Sequence, residues 1–175
     1  MLNKSNLHND CEDLLNKQIK YELNVSNFYL TLSAHFNHCD IGLTGIAQYF
    51  SKMYEEEREH SKMFIDYLNE RCGKVIVPSI EQYSLDFLCN DSNKSNILLA
   101  MEESLKKEIE VNNCLLNLHK LAEEKNDSQL CDYLEGNFLN EQVKSIYELS
   151  HYISQLKLIG NDGYGLYEFN NKLLN

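Results

Sequence analysis

Apolar residues return every three or four positions through most of this chain, which is the spacing of one helix face. From about Leu7 to Phe36 the stripe is Leu15, Ile19, Val25, Tyr29, Leu32 and Phe36. His38-Cys39-Asp40-Ile41-Gly42 breaks it and reads as a turn, with Thr44 a candidate cap for the next helix. A second stripe over 45–71 runs Ile46, Tyr49, Phe50, Met53, Phe64, Tyr67 and Leu68. Residues 72–94 are irregular and hold Gly73, Pro78 and Asn90-Asp91-Ser92-Asn93. Extended, such a stretch reaches ~65 Å, against ~40 Å for the second helix. It can therefore run the length of a bundle, so the third helix starts at the same end as the second. That helix, over 95–122, shows Leu98, Met101, Leu105, Asn112 and Leu115. A turn over 123–127, with Asp127 as cap, leads to a fourth helix over 128–159. Its stripe is Leu130, Leu134, Phe138, Ile146, Leu149, Ile153 and Leu156. After Gly160-Asn161-Asp162-Gly163, a short fifth helix can put Leu166, Phe169 and Leu173 on one side. The pattern predicts one all-α domain over 1–175: an up-down four-helix bundle with one long crossover and a short C-terminal helix.

Polar residues interrupt each stripe. Glu22 falls in the first, Glu57 and His60 in the second, Glu108 in the third and Gln142 in the fourth. A charge on a buried face is costly unless it is paired or bound to metal. Glu57-x-x-His60 sets a carboxylate and an imidazole one turn apart on one face, the unit that projects inward in carboxylate-bridged di-metal bundles. The spacing alone is common on solvated Glu-rich helices; its place in the apolar stripe argues against that reading. Glu22 and Glu57 lie equally far from the centre of the first turn, and Glu108 and Gln142 from that of the second. All four are thus expected at one level. Oxygen donors with one imidazole suit iron or manganese. Glu57 would bridge two metals, Glu22 and His60 completing one and Glu108 the other, where Gln142 either holds a water or ligates weakly. The second is short of ligands, which suits turnover better than retention. Tyr29, two turns beyond Glu22, either serves this site through a hydrogen bond or an electron, or is an ordinary core tyrosine.

Composition narrows the partners. The chain has 175 residues, 43% hydrophobic, and a formal net charge of −11, which disfavours nucleic acid and anionic membrane and suits cations. One Pro and 7 Gly fit long helices. The 6 Cys are scattered without Cys-x-x-Cys, so reduced, mostly buried thiols are expected. Residues 1–6 show no apolar core of a secretory signal, and no apolar run approaches the ~20 residues of a membrane span. Those two absences give a cytoplasmic expectation. His8, His35, His38 and His151 fit no ligand pattern.

Nearly the whole chain resembles ferritins, specifically the catalytic heavy-chain type of animals. The matching motifs, in order, are Tyr21-Glu22-Leu23 with Tyr29, Glu56-Glu57-Arg58-Glu59-His60, Leu118-His119-Lys120-Leu121-Ala122, Lys125-Asn126-Asp127, Leu130-Cys131-Asp132 and Leu139-Asn140-Glu141-Gln142-Val143-Lys144. The resemblance implies a ferritin-like bundle assembled as a hollow 24-subunit shell, a homo-oligomer unless other ferritin subunits mix in. It also implies a ferroxidase: Fe(II) oxidised with oxygen at a di-iron centre, then stored as ferric mineral. Glu22, Glu57, His60, Glu108 and Gln142 match the centre's positions, with Tyr29 beside them. His119, Asp132 and Glu135 match residues lining a three-fold entry channel. Glu56 and Glu59 match acidic positions on the cavity side, where Lys62 replaces a third glutamate. The chain departs from the animal pattern in its longer second connection. It departs again at Asn170 and Leu174, which stand where leucine and histidine are common at the four-fold axis. Two other classes compete: a passive shell subunit, disfavoured by the intact ligand set, and a rubrerythrin or bacterioferritin relative, disfavoured by the missing second Glu-x-x-His and the missing Cys-x-x-Cys.

Overall fold

The structure, a computed structural model, describes residues 6–89 and 91–174. Residues 1–5, read above for a signal, and Asn90 lie outside them, as does the side chain of Cys89. Helix α1 spans Asn9–Phe36 and α2 Thr44–Glu70. The two form an antiparallel hairpin, tied by Ser26 Oγ donating to the Tyr54 carbonyl at 3.0 Å and Ser33 Oγ to that of Ala47 at 2.9 Å. Every apolar position of both expected stripes is buried. Helix α3 spans Asn96–Glu124, capped by Ser95 Oγ, which accepts from Leu98 N at 3.2 Å.

The crossover is strung along α1 by that helix's own polar face. Lys74 N donates to Glu12 Oε1 at 2.9 Å, Ile76 N to Asn16 Oδ1 at 2.7 Å and Glu81 N to Asn24 Oδ1 at 3.0 Å. Asn27 Nδ2 then donates to the Glu81 carbonyl at 2.7 Å. The rising numbers on α1 show the strand travelling toward the end where α2 began. Phe28 receives Tyr83 and Phe87 at 5.4 and 6.2 Å, and a single 3₁₀ turn, Asp86–Cys89, precedes α3. The third helix thus starts where the second does, as the length argument requires.

The fourth rod is not one helix. It comprises α4, Ser128–Leu134, a π-helical segment, Glu135–Leu139, and α5, Asn140–Ile159. Leu130, Leu134, Phe138 and Gln142 are all buried at strict steps of four. On an α-helix each such step drifts about 40° off the face; the wider π turn absorbs the drift. In α3 the buried arc is Ser104, Glu108, Val111, Leu115 and Leu118, while Leu105 and Asn112 are only half-buried, because the helix packs against α1 on one side and α5 on the other. Asp127 caps α4 as expected, its Oδ1 accepting from Leu130 N at 3.1 Å.

Helix α6, Gly163–Lys172, differs from expectation in its docking. The N-cap of α2 is Leu43, not Thr44, and has no side-chain cap bond of its own. Asn170 supplies it from the far end of the chain: its Oδ1 accepts from Gly45 N at 2.9 Å and Ile46 N at 3.1 Å. Asn170 is 3% exposed and so pins α6 against the bundle, while Leu174 is exposed. At the opposite end, buried Arg71 binds Asp127 Oδ2 at 2.8 Å and Gln129 Oε1 at 2.7 Å, and also meets the Tyr67 hydroxyl. The cysteine expectation is corrected. Among the described residues five thiols are free, yet only Cys11 is buried; Cys39 and Cys72 are exposed, Cys114 and Cys131 half-buried. Turns and helix ends carry the exposed ones, outside the packed stripes.

Candidate metal centre

Midway along the bundle, α1, α2, α3 and α5 bring their odd polar residues to one level. Glu22, Glu57, Glu108 and Gln142 are all buried, with Tyr29 fully enclosed beside them. Ligand atoms of Glu22, Glu57 and His60 lie within 4.8 Å of one another. His60 Nδ1 stands 3.5 Å from Glu57 Oε2. Two carboxylate oxygens in this group, Glu22 Oε2 and Glu57 Oε2, are buried without a hydrogen-bond partner. Buried polar atoms are rarely left so; a pair of them beside an imidazole is what a cation would complete.

The other half is closed by hydrogen bonds. The Tyr29 hydroxyl donates to Glu108 Oε1, and Gln142 Nε2 to Glu108 Oε2 at 2.6 Å. Gln142 also reaches the Glu108 carbonyl at 2.9 Å. Tyr29 therefore touches the site rather than merely filling the core. Glu108 has no idle oxygen, unlike Glu22 and Glu57.

Electrostatics follow from burial. Desolvation, then the neighbouring Glu57 charge, holds Glu22 well above the usual carboxylate range. Desolvation and then Glu108 do the same to Glu57. Desolvation also raises Glu108, against the lowering effect of its Tyr29 and Gln142 bonds. The metal-free centre thus stores protons that a cation would displace.

Two residues at the site went unread in the sequence. Gln18 Nε2 donates to Glu22 Oε1 at 2.7 Å, fixing that carboxylate with its other oxygen idle. Gln18 sits one turn before Glu22 among Leu15 and Ile19, so its polar character within the stripe was the available signal. Glu141 Oε2 lies 3.2 Å from His60 Nε2, which leaves Nδ1 facing Glu57. A carboxylate behind a ligating imidazole fixes its tautomer and orientation. Glu56, His60 and Glu141 also converge, and burial with a Glu141 hydrogen bond pushes Glu56 up to about 7. Phe138, from the π segment, lies edge-on to His60 at 5.5 Å and stacks on Phe64 at 4.2 Å.

The remaining expected residues lie elsewhere. Glu59 is exposed and 3.4 Å from Lys62 Nζ, away from the centre. His119, Asp132 and Glu135 share the α3–α4 end. There His119 Nε2 meets Glu135 Oε1 at 2.6 Å, and Glu123, Cys131, Asp132 and Glu135 line an open depression.

Comparison with known proteins agrees with this architecture. A model of the ferritin-like domain matches residues 12–159. The chain is 39% identical over 173 residues to "Ferritin, chloroplastic" of Malus baccata var. xiaojinensis, covering 99% of this chain and 68% of the relative. Identity is 42% over 173 residues to "Ferritin-2, chloroplastic" of Glycine max, covering 99% and 66%. "Ferritin-3, chloroplastic" of Arabidopsis thaliana is 40% identical over 165 residues, covering 94% and 62%. The chain thus spans about two thirds or less of these relatives' length. All three are plant proteins, so the animal-type likeness finds no support among them. Their names also overturn the cytoplasmic expectation. Among the described residues no helix is long and apolar enough to cross a membrane, and that does not tell one compartment from another.

Proposed function

The chain belongs to the ferritin family, and from that premise we propose that it is an iron-storing subunit with its own ferroxidase centre. It oxidises Fe(II) with dioxygen and delivers Fe(III) to a mineral inside a 24-subunit shell. The whole chain forms one domain. The plastid setting in the relatives' names replaces the cytoplasm in this reading. The observation that carries the proposal is the pair of orphaned buried oxygens on Glu22 and Glu57 beside His60 Nδ1.

Iron is the substrate here, and the residues divide the work. Glu22, Glu57 and His60 take the first Fe(II): a carboxylate oxygen from each glutamate and an imidazole nitrogen already lie within 4.8 Å of one another. Glu57 bridges to a second Fe(II) held by Glu108, with Gln142 as a weak ligand or water holder. A carboxylate oxygen that accepts one hydrogen bond keeps a second lone pair, so Glu108 can take iron while Tyr29 and Gln142 still hold it. Each of the two Fe(II) gives one electron to the same dioxygen, which is reduced by two electrons to hydrogen peroxide, its two protons coming from the carboxyl groups that iron displaces or from solvent. Tyr29, hydrogen-bonded to Glu108, orients that carboxylate. Gln18 and Glu141 hold Glu22 and His60 in place. His119, Asp132 and Glu135 draw Fe(II) toward the α3–α4 end, since clustered carboxylates concentrate cations. Glu56 and Glu59 handle iron leaving toward the cavity, with Glu56 beside His60 and Glu141 and so nearer the centre.

The test is aerobic addition of Fe(II) to metal-free protein, followed by ferric absorbance. Acceleration over buffer is expected, and Glu57→Ala with His60→Ala should remove the fast phase. A rate equal to buffer, or an unchanged rate in that variant, would sink the ferroxidase reading. Size-exclusion chromatography addresses the shell, expected at about 490 kDa for 24 chains of 20.4 kDa; a dimer-sized peak would refute it.

A further inference from the structure

The turn between α1 and α2 gathers three different metal-ligating side chains from consecutive residues. His38 Nδ1, Cys39 Sγ and a carboxylate oxygen of Asp40 all lie within 4.8 Å of one another. Cys39 Sγ stands 4.0 Å from His38 Nδ1 and 3.8 Å from Asp40 Oδ1, and His38 Nδ1 is 3.5 Å from Asp40 Oδ2. Neighbouring side chains on an extended strand point to opposite faces and cannot do this. Here the backbone folds back: Ile41 N and Gly42 N both donate to the His38 carbonyl at 2.9 Å. Gly42, at φ 66, then turns the chain into α2. A tetrahedral zinc with ordinary bonds to nitrogen, oxygen and sulfur spaces its donors about 3.3–3.6 Å apart. The Cys39–His38 separation lies within about half an ångström of that range, the two contacts to Asp40 use its two different oxygens, and with one donor atom per residue all three lie within 4.8 Å of one another, so rotation of these exposed side chains closes the tripod.

We propose that His38, Cys39 and Asp40 form a surface site for a borderline divalent cation of the zinc class, separate from the iron centre. The donor set selects the ion. A thiolate disfavours magnesium and calcium, whereas thiolate, imidazole and carboxylate together suit zinc. Three protein ligands leave the fourth position to water. On binding, the Cys39 thiol loses its proton to solvent and the thiolate takes the metal. His38 Nδ1 already aims its lone pair into the turn, where it receives Asp40 N at 3.3 Å; the cation takes over that lone pair. The site follows the C-terminus of α1, whose last turn ends at Phe36 and presents the negative end of the helix dipole. The iron centre has no sulfur among its residues, so the two sites differ in kind and in readout.

Cobalt(II) is the probe, because its bond to a thiolate produces a charge-transfer absorption that oxygen and nitrogen ligands do not. Titrating the intact full-length protein with Co²⁺ should develop that band at one equivalent per chain, and Zn²⁺ should quench it. The band should vanish in Cys39→Ser. It should need at least about tenfold more Co²⁺ in His38→Ala and in Asp40→Ala, as expected when a contributor to metal affinity is lost. It should persist in Glu57→Ala, Cys72→Ser and Cys131→Ser. No band, a band that follows Cys72 or Cys131, or a band indifferent to both His38→Ala and Asp40→Ala would each overturn the site.

Discussion

Gly45→Ala is the sharpest test of how the C-terminal helix is held. A Cβ at position 45 would sit 1.9 Å from the Asn170 carbonyl oxygen, 2.9 Å from its carbonyl carbon and 3.1 Å from Oδ1. Ordinary contact begins near 3.4 Å, so α6 must retreat by about 1.5 Å or the first turn of α2 must open. Either response breaks the bonds from Gly45 N and Ile46 N to Asn170 Oδ1, and α2 has no other side-chain cap. Two neutral hydrogen bonds at about 1 kcal/mol each give about 2 kcal/mol. Partial exposure of Phe169, now 4% exposed, adds about 1 kcal/mol. Alanine's better helix propensity returns up to about 1 kcal/mol. The net loss is about 2 kcal/mol, or roughly 4–8 °C in Tm for a chain of this length. Asn170→Ala should cost a similar amount. Because Gly45→Ala already breaks the bonds, the double variant should fall short of additivity by about 1–2 kcal/mol. Calorimetry of the three variants measures this, and limited proteolysis should release the segment after Gly160 faster in each. A Gly45→Ala protein melting within about 1 °C of wild type, or an additive cycle, would refute the docking.

Glu57→Gln should make the metal-free protein more stable near neutral pH while abolishing fast iron oxidation. Burial raises the folded pKa of Glu57 above its ordinary 4.5, so the folded state binds the extra proton and stability falls as pH rises above 4.5. The gap between variant and wild type should therefore widen with pH in urea titrations; a wild-type stability that climbs through that range would contradict it. Tyr29→Phe leaves Glu108 Oε1 without its donor and should cost about 1–3 kcal/mol, whereas an ordinary core tyrosine would lose little; chemical denaturation separates the two. Arg71→Ala strands buried Asp127 and should cost about 3–5 kcal/mol, visible as a large drop in Tm, and a drop under about 3 °C would dismiss that network.

The sequence carried the bundle because burial enforces period, and burial is what apolar stripes report. It carried Glu22, Glu57, His60, Glu108 and Gln142 for the same reason: each is a polar residue where packing demands an apolar one. Gln18 obeys that rule too and could have been read. Glu141 could not, since it lies off the stripe and acts through His60. Asn170 escaped because its partners are backbone groups 124 and 125 residues away, and no local pattern records a cap supplied from the opposite end of the chain. His38 and Cys39 looked idle because ligand spacing is usually sought along a helix, and a turn brings neighbours together by a different geometry. The cysteines misled because a hydrophobic tendency was assigned to residues sitting at turns and helix ends. The π segment was present as four consecutive steps of four, a period too long for an α-helix and too readily accepted as one.

That segment makes the fourth rod a shaft with two separately set dials. On one side Asp132 faces the acidic depression with Glu135; on the other Gln142 faces Glu108, and Phe138 between them touches His60. Leu130 and Gln142 are twelve residues apart, and on an unbroken α-helix that spacing would leave them about 120° out of line. Deleting one residue within Glu135–Leu139 would leave eleven steps, about 20° from three full turns, so the rod would become a plain α-helix with both dials still nearly aligned. The wide turn is therefore where this rod accommodates one extra residue, and the same deletion made in α4 or α5, with the wide turn kept, would turn one dial against the other by about 100°.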